Sequence, residues 1–166
     1  MLDGRDPEHA IVRPTARVLM VDPTGRVLLM EGKTPWAPGV WFTPGGAVEP
    51  GESHEAAAVR EAWEETGFRI ERLGPAVWSR SHVWQSNLDD RWLLSHERFF
   101  WVRVPQFTPR LTQVSAEERA TLGTMRWWSP SEGQAGKHTF APRRLFDLMQ
   151  PLLRGEFPVE PLEIGI

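Results

Sequence analysis

The stretch from Gly46 to Phe68, GAVEPGESHEAAAVREAWEETGF, constrains the fold and function of this 166-residue chain more than any other part of it. We predict a helix in its second half, because Ser53 is of the residue type that caps helix N-termini. Gly67 stands where a left-handed residue commonly ends a helix. Gly46 and Gly51 permit close backbone turns before the helix. The stretch therefore predicts a glycine-containing turn that folds back over the start of one helix.

The charged side chains of this helix lie in one sector. Glu61, Glu64 and Glu65 share a face, because spacings of three and four residues return to one side of a helix. The apolar stripe roughly opposite them consists of Val59, Ala62, Trp63 and Thr66. Like charges at these spacings repel and lower helix stability, and a bound divalent cation would remove that cost. For the three glutamates alone, an ordinary solvated face is the more common explanation.

The whole stretch resembles the signature of the Nudix hydrolase family, G-x5-E-x7-R-E-U-x-E-E-x-G-U, in which U is an apolar residue. The fixed positions are all filled, by Gly46, Glu52, Arg60, Glu61, Glu64, Glu65 and Gly67. The two apolar positions hold Ala62 and Phe68. Because every position matches, the metal-site interpretation is favoured over the solvated face.

The resemblance implies a fold and a reaction. The fold is of the α/β (α+β) class, an α/β/α sandwich with a mixed β-sheet. The reaction is the cleavage of a diphosphate bond by water, assisted by Mg²⁺, with Mn²⁺ as a substitute. Carboxylates, water and substrate phosphates are suitable ligands for Mg²⁺, which can also lower the pKa of the attacking water.

The resemblance also implies roles for single residues. The catalytic set would be Glu64, Arg60, Glu61 and Glu65. Glu61 and Glu65 would be the principal metal ligands, together with the backbone carbonyl of Gly45. Glu64 would be a further ligand or the base that accepts the proton of water. The remaining two candidates are Arg60, which could orient a carboxylate through its rigid guanidinium, and Glu52, a ligand for a second metal.

The rest of the chain predicts more strands than helices, in an order that favours a mixed sheet flanked by helices. The predicted strands are 13–21, 26–30, 41–43, an interrupted segment at 69–83, 92–104 and 125–128. We expect a turn at 22–25, a hairpin loop at 85–91 and a charged turn at 116–120. A second helix is predicted over 142–153, with Pro142 at its start.

These elements form one domain. Residues 13–154 are predicted to be a single hydrolase domain of the Nudix type, a size sufficient for a substantial core. Residues 1–12 are predicted to be a flexible N-terminal arm or an edge strand. Residues 155–166 are predicted to be an extended C-terminal tail.

Four residues outside the stretch are candidates for substrate binding. Trp36 lies in a Pro/Gly-rich loop, where its ring could stack on a base. Glu97, on a predicted strand, and Glu118, in a later loop, could bring further carboxylates to the site, and Arg17 could contact phosphate. For each of the three charged residues, an ordinary surface position is the alternative.

Composition excludes several classes of site and partner. The absence of cysteine leaves oxygen or imidazole ligands for any metal. A net charge of −3 without a long basic run argues against binding of duplex nucleic acid. The N-terminus lacks the apolar segment of a signal peptide, and no apolar run reaches transmembrane length, so we expect no membrane partner and a cytoplasmic location. The oligomeric state stays open, with a homodimer among the alternatives.

The sequence therefore predicts a Mg²⁺-dependent hydrolase of nucleoside diphosphate-linked compounds, acting on a small-molecule nucleotide or nucleotide derivative. Nucleoside triphosphates, including damaged ones, and nucleoside diphosphate sugars remain alternatives. The tyrosine that accompanies dinucleoside polyphosphate cleavage in the family is missing, because the chain contains no tyrosine. A non-catalytic module that senses a nucleotide on the same fold is the alternative to an enzyme.

Overall fold

The computed structural model describes residues 1–33, 38–86 and 89–165. Within these ranges, nine strands form one mixed sheet. The strands are β1 Ile11–Val21, β2 Val27–Gly32, β3 Val40–Phe42, β4 Gly45–Ala47, β5 Ala76–Gln85, β6 Trp92–Arg103, β7 Leu122–Trp128, β8 Thr139–Ala141 and β9 Leu162–Glu163. The α-helices are α1 His54–Thr66, α2 Ala116–Thr121, α3 Pro130–Gln134 and α4 Leu145–Leu153.

The sheet is built around β1, which lies between β2 and β6 in the strand order β8-β3-β2-β1-β6-β5-β9. β1 pairs with β6 in parallel along its whole length, and β4 pairs antiparallel with the middle of β1. The hairpin of β5 and β6 is antiparallel, and β7 pairs antiparallel with β2. This mixture of directions confirms the predicted mixed sheet.

Each face of the sheet is covered by a helix and has its own apolar core. On one side α1 packs on the sheet through Ala57, Ala58 and Ala62, which are fully buried against Val18 and Phe100. The members of the other core on α4 are Leu145, Phe146, Met149 and Leu152. Burial of one such large side chain contributes about 1.5–3 kcal/mol. The two cores give the layers of an α/β/α sandwich and confirm the predicted fold class.

Helix α1 begins and ends where the sequence predicts. The Ser53 hydroxyl accepts a hydrogen bond of 3.1 Å from the N–H of Ala56, and Gly67 ends the helix at φ +76°. Its faces differ from the prediction, because Glu61 and Glu65 are buried, whereas Trp63 is half-buried. The glutamates therefore face the protein interior beside β4 and do not form a solvated face.

Three other local predictions were wrong. Gly46, predicted to lie in a tight turn, belongs to strand β4, because it pairs with Ala16 on β1. Residues 116–120 form helix α2 and not a turn, because Ser115 and Glu118 form a reciprocal capping box that stabilises a helix start. The last helix begins at Leu145 and not at Pro142, because 139–141 belong to β8 and the chain needs 142–144 to turn away from the sheet.

The two ends of the chain make specific contacts. Gly4 is buried, and its carbonyl accepts a hydrogen bond of 2.7 Å from the N–H of Trp92. Near the other end, β9 pairs in parallel with β5, and Ile164 is buried in the core beneath α4. The proposed boundaries at residues 13 and 154 stay predictions. None of the described helices is long and apolar enough to cross a membrane.

Candidate active site

Strand β4, which precedes α1, begins with two glycines that lie close to other parts of the chain. Gly45 has φ +143°, and a Cβ there would lie 2.1 Å from the carbonyl oxygen of Ala16 on β1. A Cβ on Gly46 would lie 2.3 Å from Oε1 of Glu61. Both distances are shorter than real Cβ atoms show. The Ala16 carbonyl belongs to the backbone and cannot move away, so glycine is required at position 45, whereas the Glu61 carboxylate is the end of a flexible side chain and could shift.

Glu65 and Glu61 form a buried acidic pair beside β4. Oε2 of Glu65 accepts a hydrogen bond of 2.7 Å from the N–H of Gly45. Burial raises the pKa of Glu65 to about 8, with the nearby charge of Glu61 as a further cause. Burial also raises the pKa of Glu61, although Arg60 opposes this effect. Such shifts mark carboxylates whose charge is insufficiently compensated by the protein, a common property of functional sites.

Arg60 links the other carboxylates of the site. Its Nε donates to Oε1 of Glu52 at 2.9 Å, and its Nη1 donates to Oε1 of Glu61 at 2.9 Å and Oε2 of Glu64 at 3.2 Å. Its Nη2 donates to the carbonyl of Ala47 at 2.9 Å. These bonds raise the pKa of Arg60, and they hold the pKa of Glu52 below its usual range. The single arginine therefore orders three of the four predicted carboxylates.

An open cleft of about 490 Å³ lies over this group. Its lining includes Gly45, Gly46, Arg60, Glu61, Glu64 and Glu65 from the predicted set. Glu118 of α2 also lines the cleft, and its charge contributes to the raised pKa values of Glu61 and Glu65. The cleft therefore brings the carboxylates of α1 and α2 together.

Arg13 also lines this cleft, and the sequence reasoning missed it. Residues on one strand that are two apart point to the same face, so the candidate Arg17 on the same strand implies that Arg13 shares its face. Burial lowers the pKa of Arg13, with Arg17 as a further cause. A half-buried cation in this acidic cleft is a candidate contact for a phosphate group.

Arg17 and Glu97 lie beside the cleft in a buried ionic network. Nε of Arg17 donates to Oε1 of Glu97 at 3.0 Å, and Nη1 of Arg17 donates to the carbonyl of Gly45 at 3.1 Å. The other carboxylate oxygen of Glu97 pairs with Arg80. Burial raises the pKa of Glu97, but the two arginines and His82 outweigh this effect and lower it. Glu97 is therefore ionised and bound to arginine.

A second cavity, of about 270 Å³, adjoins this network. It shares Phe42 and Leu122 with the first cleft and is also lined by Arg17, Arg80, His82 and Glu97. Nδ1 of His82 is buried without a hydrogen-bond partner among the described residues, 4.0 Å from the nearest oxygen of Glu97. The cavity combines apolar and polar lining residues, which suits a small-molecule ligand.

The types of donor around the cleft fit a hard divalent cation. The available donors are carboxylate oxygens and the Gly45 carbonyl, and the raised pKa of the buried Glu65 shows that a positive charge beside it would be stabilising. Within residues 1–33, 38–86 and 89–165, no group of three or more His, Asp or Glu side chains is arranged so that it could hold a metal in this conformation. Arg60 binds both oxygens of Glu52 but only one oxygen each of Glu61 and Glu64, so these two carboxylates keep a second oxygen that Arg60 does not bind.

Comparison with protein families identifies the chain. The model of one family, described as NUDIX domain, matches residues 12–149. The chain belongs to the NUDIX domain family. This match includes β4, helix α1 and the strands that line both cavities, so the resemblance seen in the sequence is confirmed.

Individual NUDIX proteins show the same relationship. The chain is 36% identical over 73 residues to Nudix hydrolase 19, chloroplastic, of Arabidopsis thaliana, covering 44% of this chain and 16% of that protein. It is 47% identical over 53 residues to a putative 8-oxo-dGTP diphosphatase of Bacillus subtilis, covering 32% of this chain and 34% of that protein. The chain thus spans about a third or less of the length of these relatives. The structure of a MutT NUDIX hydrolase from Burkholderia pseudomallei matches with a TM-score of 0.63 at 22% identity, covering 84% of this chain and 97% of that one, which shows the NUDIX fold.

The candidate residues are thus distributed over three places. The cleft brings together Gly45, Glu61, Glu64, Glu65 and Glu118, and Glu52 lies behind them on Arg60. Arg17 and Glu97 meet in the adjoining network. Trp36 lies outside the described residues. The catalytic and metal-binding roles of all these residues stay predictions.

Proposed function

We propose that this NUDIX chain is a Mg²⁺-dependent hydrolase of nucleoside diphosphate-linked compounds, in which water attacks a phosphorus of the diphosphate. The observation that carries the proposal is the buried pair of Glu61 and Glu65 beside Gly45 and Gly46 of β4, in the lining of an open cleft. Two carboxylates with raised pKa values in contact with a cleft suit a divalent cation better than they suit a purely structural role.

The cation, Mg²⁺ or Mn²⁺, would neutralise charge on the diphosphate and acidify the attacking water when bound. Glu61, Glu65 and the Gly45 carbonyl are the residues that would hold it. Glu64 is partly exposed at the cleft, where its carboxylate can accept a proton from water.

Arg60 and Arg13 have different tasks in this proposal. Arg60 fixes the carboxylate orientations, because its rigid guanidinium binds several oxygens at once. Arg13 is half-buried at the cleft and is placed to bind a phosphate oxygen of the substrate. The protein thereby orients the diphosphate and holds the groups that move a proton.

The substrate proposed is a small-molecule nucleotide. A nucleoside triphosphate, including a damaged one, is supported by the similarity to a protein described as a putative 8-oxo-dGTP diphosphatase. A nucleoside diphosphate sugar is the second candidate, since the cleft of about 490 Å³ is open and shares lining residues with the adjoining cavity. A cytoplasmic location stays a prediction from the sequence, and the oligomeric state stays open, with a homodimer among the alternatives.

A nucleotide panel tests the proposal. Normal and oxidised nucleoside triphosphates and several nucleoside diphosphate sugars are incubated with the chain and Mg²⁺, Mn²⁺ or a chelator, and released phosphate and pyrophosphate are measured. We expect metal-dependent release from at least one substrate class. Binding of a nucleotide without turnover of any panel member would instead support the nucleotide-sensing module, and turnover unaffected by the chelator would contradict the metal requirement.

A further inference from the structure

The Gly45 peptide is held from two sides by charged side chains. Its N–H donates to Glu65 at 2.7 Å, and its carbonyl accepts from Nη1 of Arg17 at 3.1 Å. Glu65 belongs to α1, whereas Arg17 belongs to β1, where it lies two residues before Leu19 and shares its face. The two contacts therefore come from two different elements and fix both polar groups of a single residue.

Arg17 is itself fixed at its Nε by a buried acid. Glu97 accepts this bond at 3.0 Å, and the Glu97 side chain is only 1% exposed. Arg80, 7% exposed, pairs with the second oxygen of the same carboxylate. A buried carboxylate between two arginines leaves little freedom to any of the three, because the loss of one partner would leave a buried charge uncompensated. The orientation of Arg17 is thus determined by β5 and β6.

The arrangement leaves the Gly45 carbonyl able to bind something else. A carbonyl oxygen has two lone pairs, and the bond from Arg17 uses one of them. Outer partners that hydrogen-bond a ligand group hold it in place, and their removal commonly weakens metal binding about 10- to 100-fold. Arg17 is such an outer partner, because it hydrogen-bonds the Gly45 carbonyl. Glu97 in turn accepts a hydrogen bond from Arg17.

We propose that Arg17, held by the buried Glu97 and Arg80, is a positioning residue that sets the Gly45 peptide for cation binding. Glu97 accordingly acts through Arg17 and is not itself a metal ligand. This inference rests on the proposed function for its catalytic consequence, but its structural part can be tested without substrate. It also connects the second cavity to the first cleft, because Arg17 and Arg80 line that cavity.

The experiment compares Arg17→Gln, Arg17→Lys and Glu97→Gln with the wild-type chain. We expect Arg17→Gln to weaken Mn²⁺ binding, measured without nucleotide, about 10- to 100-fold. We also expect faster amide hydrogen exchange in the segment 43–47, a lower kcat and a KM for nucleotide within about twofold of the wild-type value. Arg17→Lys should show a smaller loss, since an ammonium group keeps the charge but cannot reach both partners with a rigid fork. Glu97→Gln should change Mn²⁺ affinity in the same direction.

Arg26→Gln is the matched control. Arg26 also binds a buried carboxylate through Nε, that of Asp22, but in the turn at the other end of β1. It should lower the free energy of unfolding without changing Mn²⁺ affinity. If Arg17→Gln is too unstable to purify, Arg17→Lys and Glu97→Gln decide the question.

Three outcomes separate the possible failures. Wild-type Mn²⁺ affinity and amide exchange in the Arg17 and Glu97 variants would overturn the positioning role, as would an equal loss of affinity in Arg26→Gln. Absence of Mn²⁺ binding by the wild-type chain would overturn both the metal site and this inference. Mn²⁺ binding that depends on Arg17, without hydrolysis of any nucleotide, would support the inference and contradict only the proposed reaction.

Discussion

The carboxylate of Glu65 on α1 accepts a hydrogen bond of 2.7 Å from the backbone N–H of Gly45, twenty positions earlier in the chain. This bond joins β4 to the helix. The buried acid is thereby fixed against the N–H of a residue whose carbonyl accepts a hydrogen bond from Arg17. Substitutions of these residues and their partners should therefore change stability or activity by measurable amounts.

Replacement of Gly45 by alanine should destabilise the fold as well as the site. The new Cβ would meet the Ala16 carbonyl at 2.1 Å, and φ +143° is a conformation that other residues rarely adopt. We expect the free energy of unfolding to fall by about 2–5 kcal/mol, from backbone strain and overpacking together. Gly136→Ala is the control, because Gly136 has φ +75° with nothing within 4 Å of the added atom and should cost only about 1 kcal/mol. Urea unfolding of both variants measures the difference, and equal losses would contradict the role of the close contact.

Glu65→Gln should abolish hydrolysis and leave the fold intact. The amide oxygen still accepts from Gly45, but the negative charge that would hold a cation is lost. Several kcal/mol of transition-state stabilisation correspond to a fall in kcat/KM of about 10²- to 10³-fold. Glu64→Gln should have a similar effect. The exposed Glu55, in the first turn of the same helix, supplies the control Glu55→Gln. Wild-type turnover of the Glu65 or Glu64 variant at saturating Mg²⁺ would show that the assignment of that carboxylate is wrong.

Arg60→Lys should lower stability in the absence of metal. Lysine keeps the charge but loses the fork that binds Glu52, Glu61 and Glu64 together. We expect a loss of about 1–3 kcal/mol in the free energy of unfolding, the range of hydrogen bonds to charged groups. Added Mg²⁺ should recover part of this loss, because a bound cation would offset the negative charge of the carboxylates that Arg60 no longer binds. Arg126→Lys, which alters an exposed pair with Glu132, should change stability by less than about 1 kcal/mol with or without Mg²⁺.

Asp22 should make stability depend on pH in the acid range. Burial raises its pKa, but hydrogen bonds from Arg26 and Thr24 outweigh burial, so the pKa lies below its usual value in the folded chain. The stabilisation is therefore present above the ordinary pKa of about 3.9 and is lost as the pH falls through the lower, folded value. Asp22→Asn should cost about 1–3 kcal/mol at pH 7, with the difference from wild type shrinking below about pH 4.

Unfolding free energies measured between pH 7 and pH 3 test this expectation. Asp147→Asn is the control, since its carboxylate is 54% exposed and should have little effect across this range. A difference between wild type and Asp22→Asn that stays constant down to pH 3 would contradict a contribution from the ionised Asp22.

Several local features could be predicted because their causes lie within a few residues. Ser53 caps α1 and Gly67 ends it in the left-handed conformation, as the sequence predicts. The turn at Asp22–Gly25 closes with the hydrogen bond from Gly25 to Asp22. Helix α2 could have been found as well, since Ser115 and Glu118 have the spacing of a capping box.

Other features of the site could not be predicted, because they depend on strand register between distant parts of the chain. Glu97 lies beside Thr15 on β1, so its carboxylate reaches Arg17. On its other side β5 places Arg80 opposite Glu97. A one-residue shift in either pairing would turn these side chains to the opposite face of the sheet. Nothing in the local sequence of Glu97 distinguishes a buried partner of arginine from the free carboxylate that we predicted.

The stretch from Gly46 to Phe68 determined by itself the family of this chain, the bounds of its principal helix and the carboxylates that this helix brings to the cleft, because residue type and spacing along one helix suffice for these. Only the tertiary structure decided which of those carboxylates are buried, that Arg60 binds three of them, and that Arg17 holds Gly45 from the other side. The physical reason is that burial and ion pairing arise between elements. Charges far apart in sequence acquire their pKa values and partners only when the sheet brings them together.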